Sequence, residues 1–203
     1  MVKDIKGSVD IEDMGEPTWL LGIKIARNCD LVIIHISQPS FIDMIAKWFE
    51  ISPGCNLHAP MDLNIKLWAL FQDEITPDLL YVTLIGSINY CRVSTCPDIT
   101  HTMNKCAQYT SKLNISHWEA AKRIVRYLIQ TSEYGISYQR KWKGINGYAH
   151  SLAGYTDAVF AGNKDDCKST SGWLFTYSTT LHPYHAHPKT RNSWVIHPWN
   201  LNL

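Results

Sequence analysis

The chain has 203 residues, of which 45% are hydrophobic and 18% are charged, so its composition is that of a globular protein and excludes a disordered one. Its apolar runs are shorter than the ~18 residues that a membrane-spanning helix needs, and its polar, acidic N-terminus is unlike a secretory signal. We therefore expect an intracellular protein, in the cytoplasm or nucleus, that is neither secreted nor a membrane protein.

The small net charge of +1 conceals an uneven distribution along the chain. Residues 1–100 carry seven Lys/Arg and thirteen Asp/Glu, whereas residues 101–150 carry eight Lys/Arg and two Asp/Glu. A basic segment in a nearly neutral chain is able to contact phosphate groups, but a solvated helix face has the same composition. Charge alone leaves both interpretations open.

The first predicted element is a β-hairpin over residues 19–37. Apolar residues alternate from Trp19 to Ile25 and again from Val32 to Ile36, which is the period of a strand. A turn-prone stretch, Arg-Asn-Cys-Asp, separates the two runs.

Helices are predicted for most of the chain between residues 39 and 130. Pro39 suits a first helical position, and the residues after it form one apolar stripe at helical spacing. A second helix is expected after an N-cap at Thr76, with Gly86 permitting close packing, and a third is expected after Pro97. The fourth, over 117–130, is expected to begin with a capping box led by Ser116 and to expose its basic residues.

Three strand-like runs follow, over residues 136–138, 154–160 and 172–177, and the character of the sequence changes after them. The tail is rich in Pro, His and Trp and has no period. Its close-spaced histidines lack a Cys or carboxylate to complete a zinc set, so we expect neither a metal site nor order there. The six cysteines form no C-x-x-C pairs and are expected to be reduced packing thiols.

Six stretches, in their order and spacing, resemble the C-terminal part of copia-type retrotransposon Pol polyproteins. They are DMGEPTWLLGIKI (13–25), ISQPSFIDMIAKWF (36–49), APMD (59–62), YVTLIGSINYCRVSTCPDI (81–99), HWEAAKRIVRYLIQTSEYGISY (117–138) and GYTDAVFAGNKDDCKSTSGWLF (154–175). One such stretch would be a weak signal, whereas six in the family's order are specific. The resemblance covers about residues 10–178 and implies the end of a reverse transcriptase followed by the start of a ribonuclease H.

Together with the predicted elements, the resemblance implies an α+β fold: a β-hairpin and a helical thumb- and connection-like region, followed by a truncated ribonuclease H-like sheet. We expect the palm-end hairpin and thumb-like helix within residues 1–60 and the helical connection region within 61–150. The truncated ribonuclease H-like domain is expected within 151–180, and a divergent, disordered tail within 181–203.

The resemblance also implies where nucleic acid is bound. Trp19, Leu21, Gly22 and Ile23 are similar to the primer-grip hairpin, which holds the growing DNA end. The helix over 117–130 is similar to a surface along the template–primer duplex. The implied phosphate contacts are Lys122, Arg123 and Arg126, with Lys141 and Lys143 as outer contributors. The expected partner is an RNA–DNA or DNA duplex, bound weakly and without sequence preference; no membrane and no small-molecule substrate are expected.

Asp157, in a Tyr-Thr-Asp-Ala run, is similar to the first catalytic aspartate of a ribonuclease H. That fold hydrolyses phosphodiesters with two divalent ions, and Mg²⁺, which prefers hard carboxylate oxygens, is the cofactor of the intact family. Here Asp157 is expected to be the vestigial ligand of an incomplete site, because no Asp or Glu follows Asp166. Asp165 and Asp166 are similar to a turn pair outside that site, and the polymerase aspartates are expected upstream of Met1.

Three interpretations of function remain open. The chain is a polyprotein fragment without activity of its own, a non-catalytic nucleic-acid-binding module that uses the basic helix 117–130, or a relic that folds poorly. Intact carboxylate clusters would favour a working enzyme, and the sequence lacks them. Salt-dependent duplex binding would favour the binding module over the relic, since phosphate contacts release counterions.

Overall fold

The computed structural model describes residues 14–30, 33–54, 57–62, 67, 79–111, 113–139, 152–160, 169–177, 190–191 and 195–196. Within them, the helices are α1 (Pro39–Trp48), α2 (Leu79–Ser94), α3 (Thr100–Ala107) and α4 (Ile115–Gln130), and a 3₁₀ turn (Pro97–Ile99) precedes α3. The strands are β1 (Trp19–Leu20), β2 (Ile23–Asn28), β3 (Ile33–Ser37), β4 (Gly135–Gln139), β5 (Leu152–Val159), β6 (Thr170–Tyr177), β7 (Thr190–Arg191) and β8 (Val195–Ile196). The chain therefore mixes helix and sheet, as an α+β fold requires. None of the described helices is long and apolar enough to cross a membrane.

The predicted hairpin is present, but a tight turn divides its first strand into β1 and β2. Leu20 lies opposite Ile23 in this antiparallel pair, so the loop consists of Leu21 and Gly22 alone. Both loop residues have positive φ, 52° and 77°, as the central residues of a type I′ turn do. Gly adopts this conformation freely, whereas it costs an ordinary residue about 1–2 kcal/mol. The prediction of one continuous strand is wrong here, because an alternating apolar pattern carries no sign of such a turn.

β2 and β3 form the longer hairpin, and β4 joins it from a distant part of the chain. Ile36 lies opposite Ile136 and Ser37 opposite Gly135, so β3 and β4 are antiparallel neighbours. The order of the sheet is β1-β2-β3-β4-β7, with the short β7 parallel to β4. The predicted segments 1–60 and 61–150 therefore share one sheet.

α1 begins at Pro39, as predicted, and ends in a Schellman motif. The amide of Ile51 donates to the carbonyl of Ala46 at 2.8 Å, and Glu50 has φ of 50° at the position where Gly is usual. Ile51 is itself buried, so the motif also closes the end of the helix over the core. The helix thus ends before the turn-forming pair Pro53-Gly54.

α2 and α3 follow the prediction in outline. The proposed N-cap at Thr76 lies outside the described residues. Gly86 lies on the exposed side of α2, and a Cβ placed there would meet no atom within 4 Å. The prediction that this glycine permits close packing is therefore wrong.

All four helices contribute to one hydrophobic core. α4 supplies fully buried residues at helical spacing, Ala121, Ile124, Val125 and Leu128, and α1 packs against it. The rest of this core consists of Ile42, Ile45, Ala46, Ile51, Tyr81, Leu84, Ile85, Ile88, Cys91, Cys96, Ile99, Met103, Cys106, Leu113 and Ala120. The core therefore crosses the predicted boundary at residue 60.

The cysteines agree with the prediction only in part. Cys91, Cys96 and Cys106 are buried free thiols that pack in the core, whereas Cys29 is free and exposed in the turn between β2 and β3. Cys55 and Cys167 lie outside the described residues.

A second sheet contains β5, β6 and β8 in that order, all antiparallel. The strand-like runs predicted at 154–160 and 172–177 are thus strands, with Asp157 opposite Gly172. Of the tail over 181–203, only β7 and β8 are described, and the histidines His182, His185 and His187 lie outside the described residues.

Candidate nucleic-acid interface

α4, the basic helix, starts at a reciprocal cap. The side chain of Asn114 accepts hydrogen bonds from the amides of Ser116 and of the third helical residue, His117, and the ring of His117 accepts from the amide of Asn114 at 3.1 Å. The same ring is fully buried and stacks on Tyr109, with centroids 4.2 Å apart. The capping box predicted at Ser116 is therefore wrong: the helix starts earlier, and His117 takes the place usually filled by Glu or Gln.

Two of the predicted phosphate-binding cations on α4 share one carboxylate. Lys122 Nζ lies 3.0 Å from Glu119 Oε1, and Arg126 Nη1 lies 3.6 Å from Glu119 Oε2. Lys122 Nζ also lies 5.5 Å from the centroid of the Trp118 ring. The helix was predicted to expose its basic residues, and these two side chains are only partly exposed, at 26% and 34%.

Arg123 and Arg126 are also partly buried. Arg123 is half-buried, and its Nε has no hydrogen-bond partner among the described residues. The Cδ of Arg126 lies 3.1 Å from the position that a Cβ of Gly54 would take. Lys141 and Lys143 lie outside the described residues. The basic side of α4, Lys122, Arg123 and Arg126, is therefore a half-buried surface with one acidic residue in it.

Trp19, Leu20 and Leu21 form an exposed apolar end of the sheet, which we call the tip. Their exposed fractions are 49%, 57% and 80%. Trp19 and Leu21 belong to the predicted primer-grip set, and Leu20 does not. Gly22 completes the turn, and Ile23 is half-buried at the start of β2. The turn and the strand before it thus expose three consecutive large apolar side chains.

The turn at the tip is supported from α2. The hydroxyl of Tyr90 donates to the carbonyl of Leu21 at 2.6 Å. The Tyr90 ring meets the ring of Phe41 edge to face, with centroids 4.9 Å apart. Sequence reasoning missed Tyr90, since it falls in an apolar run that reads as core and its partner is 69 residues away.

Asp157 is exposed on β5, and its Oδ1 accepts a hydrogen bond from the amide of Ala158 at 2.8 Å. Among the described residues, no group of three or more His, Cys, Asp or Glu side chains is placed to hold a metal ion. Mg²⁺ needs several hard oxygen ligands in a near-octahedral arrangement, so the described donor set does not fit a Mg²⁺ pair. Asp165 and Asp166 lie outside the described residues.

Known proteins resemble this chain at the level of sequence. The retrovirus-related Pol polyprotein from transposon TNT 1-94 of Nicotiana tabacum is 30% identical over 185 residues, covering 86% of the chain and 13% of that polyprotein. The corresponding polyprotein from transposon RE1 of Arabidopsis thaliana is 32% identical over 165 residues, covering 81% of the chain and 11% of the polyprotein. The chain thus spans 13% or less of the length of these two relatives.

A shorter stretch of the chain is similar to a protein of another kind. The secreted RxLR effector protein 161 of Plasmopara viticola is 39% identical over 95 residues, which is 47% of the chain and 63% of that protein. No protein-family profile matches the chain, and no solved structure gives a significant match. The two polyproteins are thus similar over most of the chain, whereas the effector protein is similar over less than half of it.

Proposed function

Because the chain is related over most of its length to the retrotransposon Pol polyproteins, we propose that it corresponds to a copia-type segment of them that binds a nucleic-acid duplex. In this proposal the segment comprises the end of the reverse transcriptase and the first strands of the ribonuclease H. It binds an RNA–DNA or DNA duplex weakly and without sequence preference. The observation that carries the proposal is that Trp19 and Leu21 of the predicted primer-grip set are exposed, at a turn that accepts a hydrogen bond from Tyr90.

The proposed interface has two parts, one that binds by electrostatic attraction and one that binds by apolar contact. The basic side of α4 contacts phosphates, and the affinity that it supplies falls as salt is added. The tip contacts the end of the duplex through apolar surface, and that contribution depends little on salt. An experiment that varies salt therefore separates the two parts.

Glu119 reduces the affinity that Lys122 and Arg126 have for phosphate. Its carboxylate already contacts Lys122 and Arg126, so a phosphate has to displace Glu119 from these two ion pairs before it can bind both side chains. Ion pairs that are partly exposed are worth about 0–1 kcal/mol, so replacing them is possible and lowers the affinity for phosphate by a modest amount.

The test is a salt titration of binding to a short RNA–DNA hybrid. In a Lys122/Arg123/Arg126→Ala variant, we expect the slope of log K against log salt to fall by about one for each phosphate-binding side chain removed. Lys47→Ala is a control for the loss of an ion-paired lysine, since Lys47 pairs with Asp43 on α1 much as Lys122 pairs with Glu119 on α4. A triple variant with the affinity and slope of the wild type would contradict the proposal. A wild-type chain without a cooperative unfolding transition would instead favour the relic.

A further inference from the structure

We propose that Tyr90 is a positioning residue for nucleic-acid binding: its hydroxyl holds the Leu21-Gly22 turn so that the tip keeps one conformation before a duplex end arrives. The inference rests on the proposed function, because it assigns to the tip the contact with the duplex. It goes further in naming a residue on α2, outside the hairpin, as the group that sets the geometry of that contact.

The need for such a support arises from the turn itself. Leu21 has φ of 52°, a conformation that non-glycine residues rarely adopt, and Leu lacks the short polar side chain that helps Asn or Asp to hold it. The usual type I′ turn has Asn-Gly or Asp-Gly at these two positions. A strained backbone at an exposed surface persists only when surrounding contacts over-determine it.

Tyr90 supplies that contact. Its hydroxyl donates to the Leu21 carbonyl at 2.6 Å, and this carbonyl belongs to the residue with the disfavoured φ. The Tyr90 ring contacts the ring of Phe41 on the first turn of α1, and α2 itself is anchored in the core by the fully buried Ile88. The turn is thus attached to the helical core and not only to its own hairpin.

A turn that is held before the duplex arrives strengthens binding. A turn that sampled several conformations would have to be ordered by the ligand, and that ordering would weaken binding. With the turn held in advance, the apolar side chains of Trp19, Leu20 and Leu21 are already exposed together. Tyr90 therefore acts on affinity through the tip without itself contacting the nucleic acid.

The experiment uses the full chain, a short RNA–DNA hybrid with open ends, and the variant Tyr90→Phe, which removes the hydroxyl and keeps the ring against Phe41. We expect an affinity about two- to tenfold lower, the range that one hydrogen bond of ordinary net strength supplies. The salt slope should be unchanged, since the variant keeps every phosphate-binding side chain. Tyr127→Phe is the matched control: it removes a hydroxyl that donates to Asp98 Oδ2 at 2.6 Å on another part of the surface.

A double-mutant cycle separates positioning from a general loss of stability. In a Trp19→Ala background, from which a tip side chain has been removed, we expect Tyr90→Phe to have a smaller effect on affinity than in the wild type. Hydrogen exchange gives a second measurement: exchange of the amides of residues 20–23 should be faster in Tyr90→Phe and unchanged in Tyr127→Phe.

Several results would overturn the inference. An equal reduction of affinity in both backgrounds would place the effect of Tyr90 elsewhere than at the tip. Unchanged exchange at residues 20–23 would show that the hydroxyl does not hold the turn. A wild-type chain that binds no hybrid would refute the proposed function together with this inference, whereas a Trp19→Ala effect without a Tyr90→Phe effect would refute the role of Tyr90 alone.

Discussion

Gly135 lies directly against the carbonyl group of Ile36, where β4 runs beside β3. A Cβ built on Gly135 would overlap that carbonyl oxygen and carbon and would lie 3.1 Å from the Cα of Ser37. All three obstacles are backbone atoms, which cannot rotate away as the end of a flexible side chain can. The glycine therefore determines how closely the C-terminal end of the helical segment joins the N-terminal sheet.

The first prediction concerns this glycine. Gly135→Ala should lower the free energy of unfolding by about 1–3 kcal/mol, because β4 has to move away from β3. Gly86→Ala is the matched control and should act in the opposite direction, raising it by about 0.5–1 kcal/mol, since Gly86 is an exposed, uncrowded position within a helix. Urea unfolding of the two variants checks both signs. A neutral Gly135→Ala variant would contradict the close pairing of β3 with β4.

The second prediction distinguishes the two candidate caps of α4. Asn114→Ala should cost about 1 kcal/mol, because the Asn114 side chain accepts two of the first amides of the helix. Ser116→Ala should cost much less, since the Ser116 hydroxyl contacts only the Asn114 side chain at the surface. Thermal unfolding compares the two variants directly. A larger effect of Ser116→Ala would support the start of the helix that the sequence alone indicated.

The third prediction is a loss of stability in alkali. Burial raises the pKa of the Cys106 thiol to about 12, and burial, together with the nearby Cys106, also raises the pKa of the Tyr81 hydroxyl. Both groups are acids that keep their protons longer in the folded chain than in the unfolded one. The unfolded chain thus binds fewer protons above about pH 9, so the free energy of unfolding falls as the pH rises from there toward 12.

The measurement is urea unfolding at intervals between pH 8 and pH 11. Each proton that only the folded chain retains contributes a decline of about 1.4 kcal/mol per pH unit. Cys106→Ala should reduce the steepness of the decline, whereas Cys29→Ala, which removes an exposed thiol, should not. Identical pH profiles for the two variants would show that the buried thiol is not responsible.

The fourth prediction is that the chain alone does not cleave an RNA–DNA hybrid. Asp157 is exposed, it accepts a hydrogen bond from the next amide, and no metal-ligating cluster is present among the described residues. One carboxylate holds Mg²⁺ weakly, and two-metal hydrolysis requires both ions. The assay is hybrid cleavage in Mg²⁺ or Mn²⁺, with Asp157→Asn as the control. Cleavage that Asp157→Asn abolishes would refute the prediction and would mean that a complete site forms around Asp157.

Local sequence patterns were sufficient for most of the regular elements. Pro39 starts α1 because its fixed φ and missing amide suit a first helical position. The spacing of Ala121, Val125 and Leu128 indicated the buried side of α4 because a helix returns to the same side every three to four residues. Alternation likewise indicated β2 and β3, since neighbouring side chains on a strand point to opposite faces, and β5 and β6 were predicted as strand-like runs.

The geometry of the candidate interface could be predicted from the sequence much less well, because it depends on contacts between distant residues. A turn at Leu21-Gly22 is not indicated by its residue types, because Leu disfavours positive φ and is held there by Tyr90 from α2. The sequence showed that α4 is basic, but it did not show that Glu119 contacts Lys122 and Arg126 together, since rotamers and burial decide which neighbours meet.

The pairing of β3 with β4 also depends on the tertiary structure. Either strand could be recognised from its own residues, yet nothing within Ile33–Ser37 specifies Gly135–Gln139 as its neighbour. That choice is made by the helical core, which joins α1 and α4 and so brings the strand before α1 beside the strand after α4. Sequence by itself determined which residues form elements and which sides of them are apolar, because periodicity is local. The tertiary structure decided the neighbours, because contacts between distant residues depend on how the apolar sides pack together.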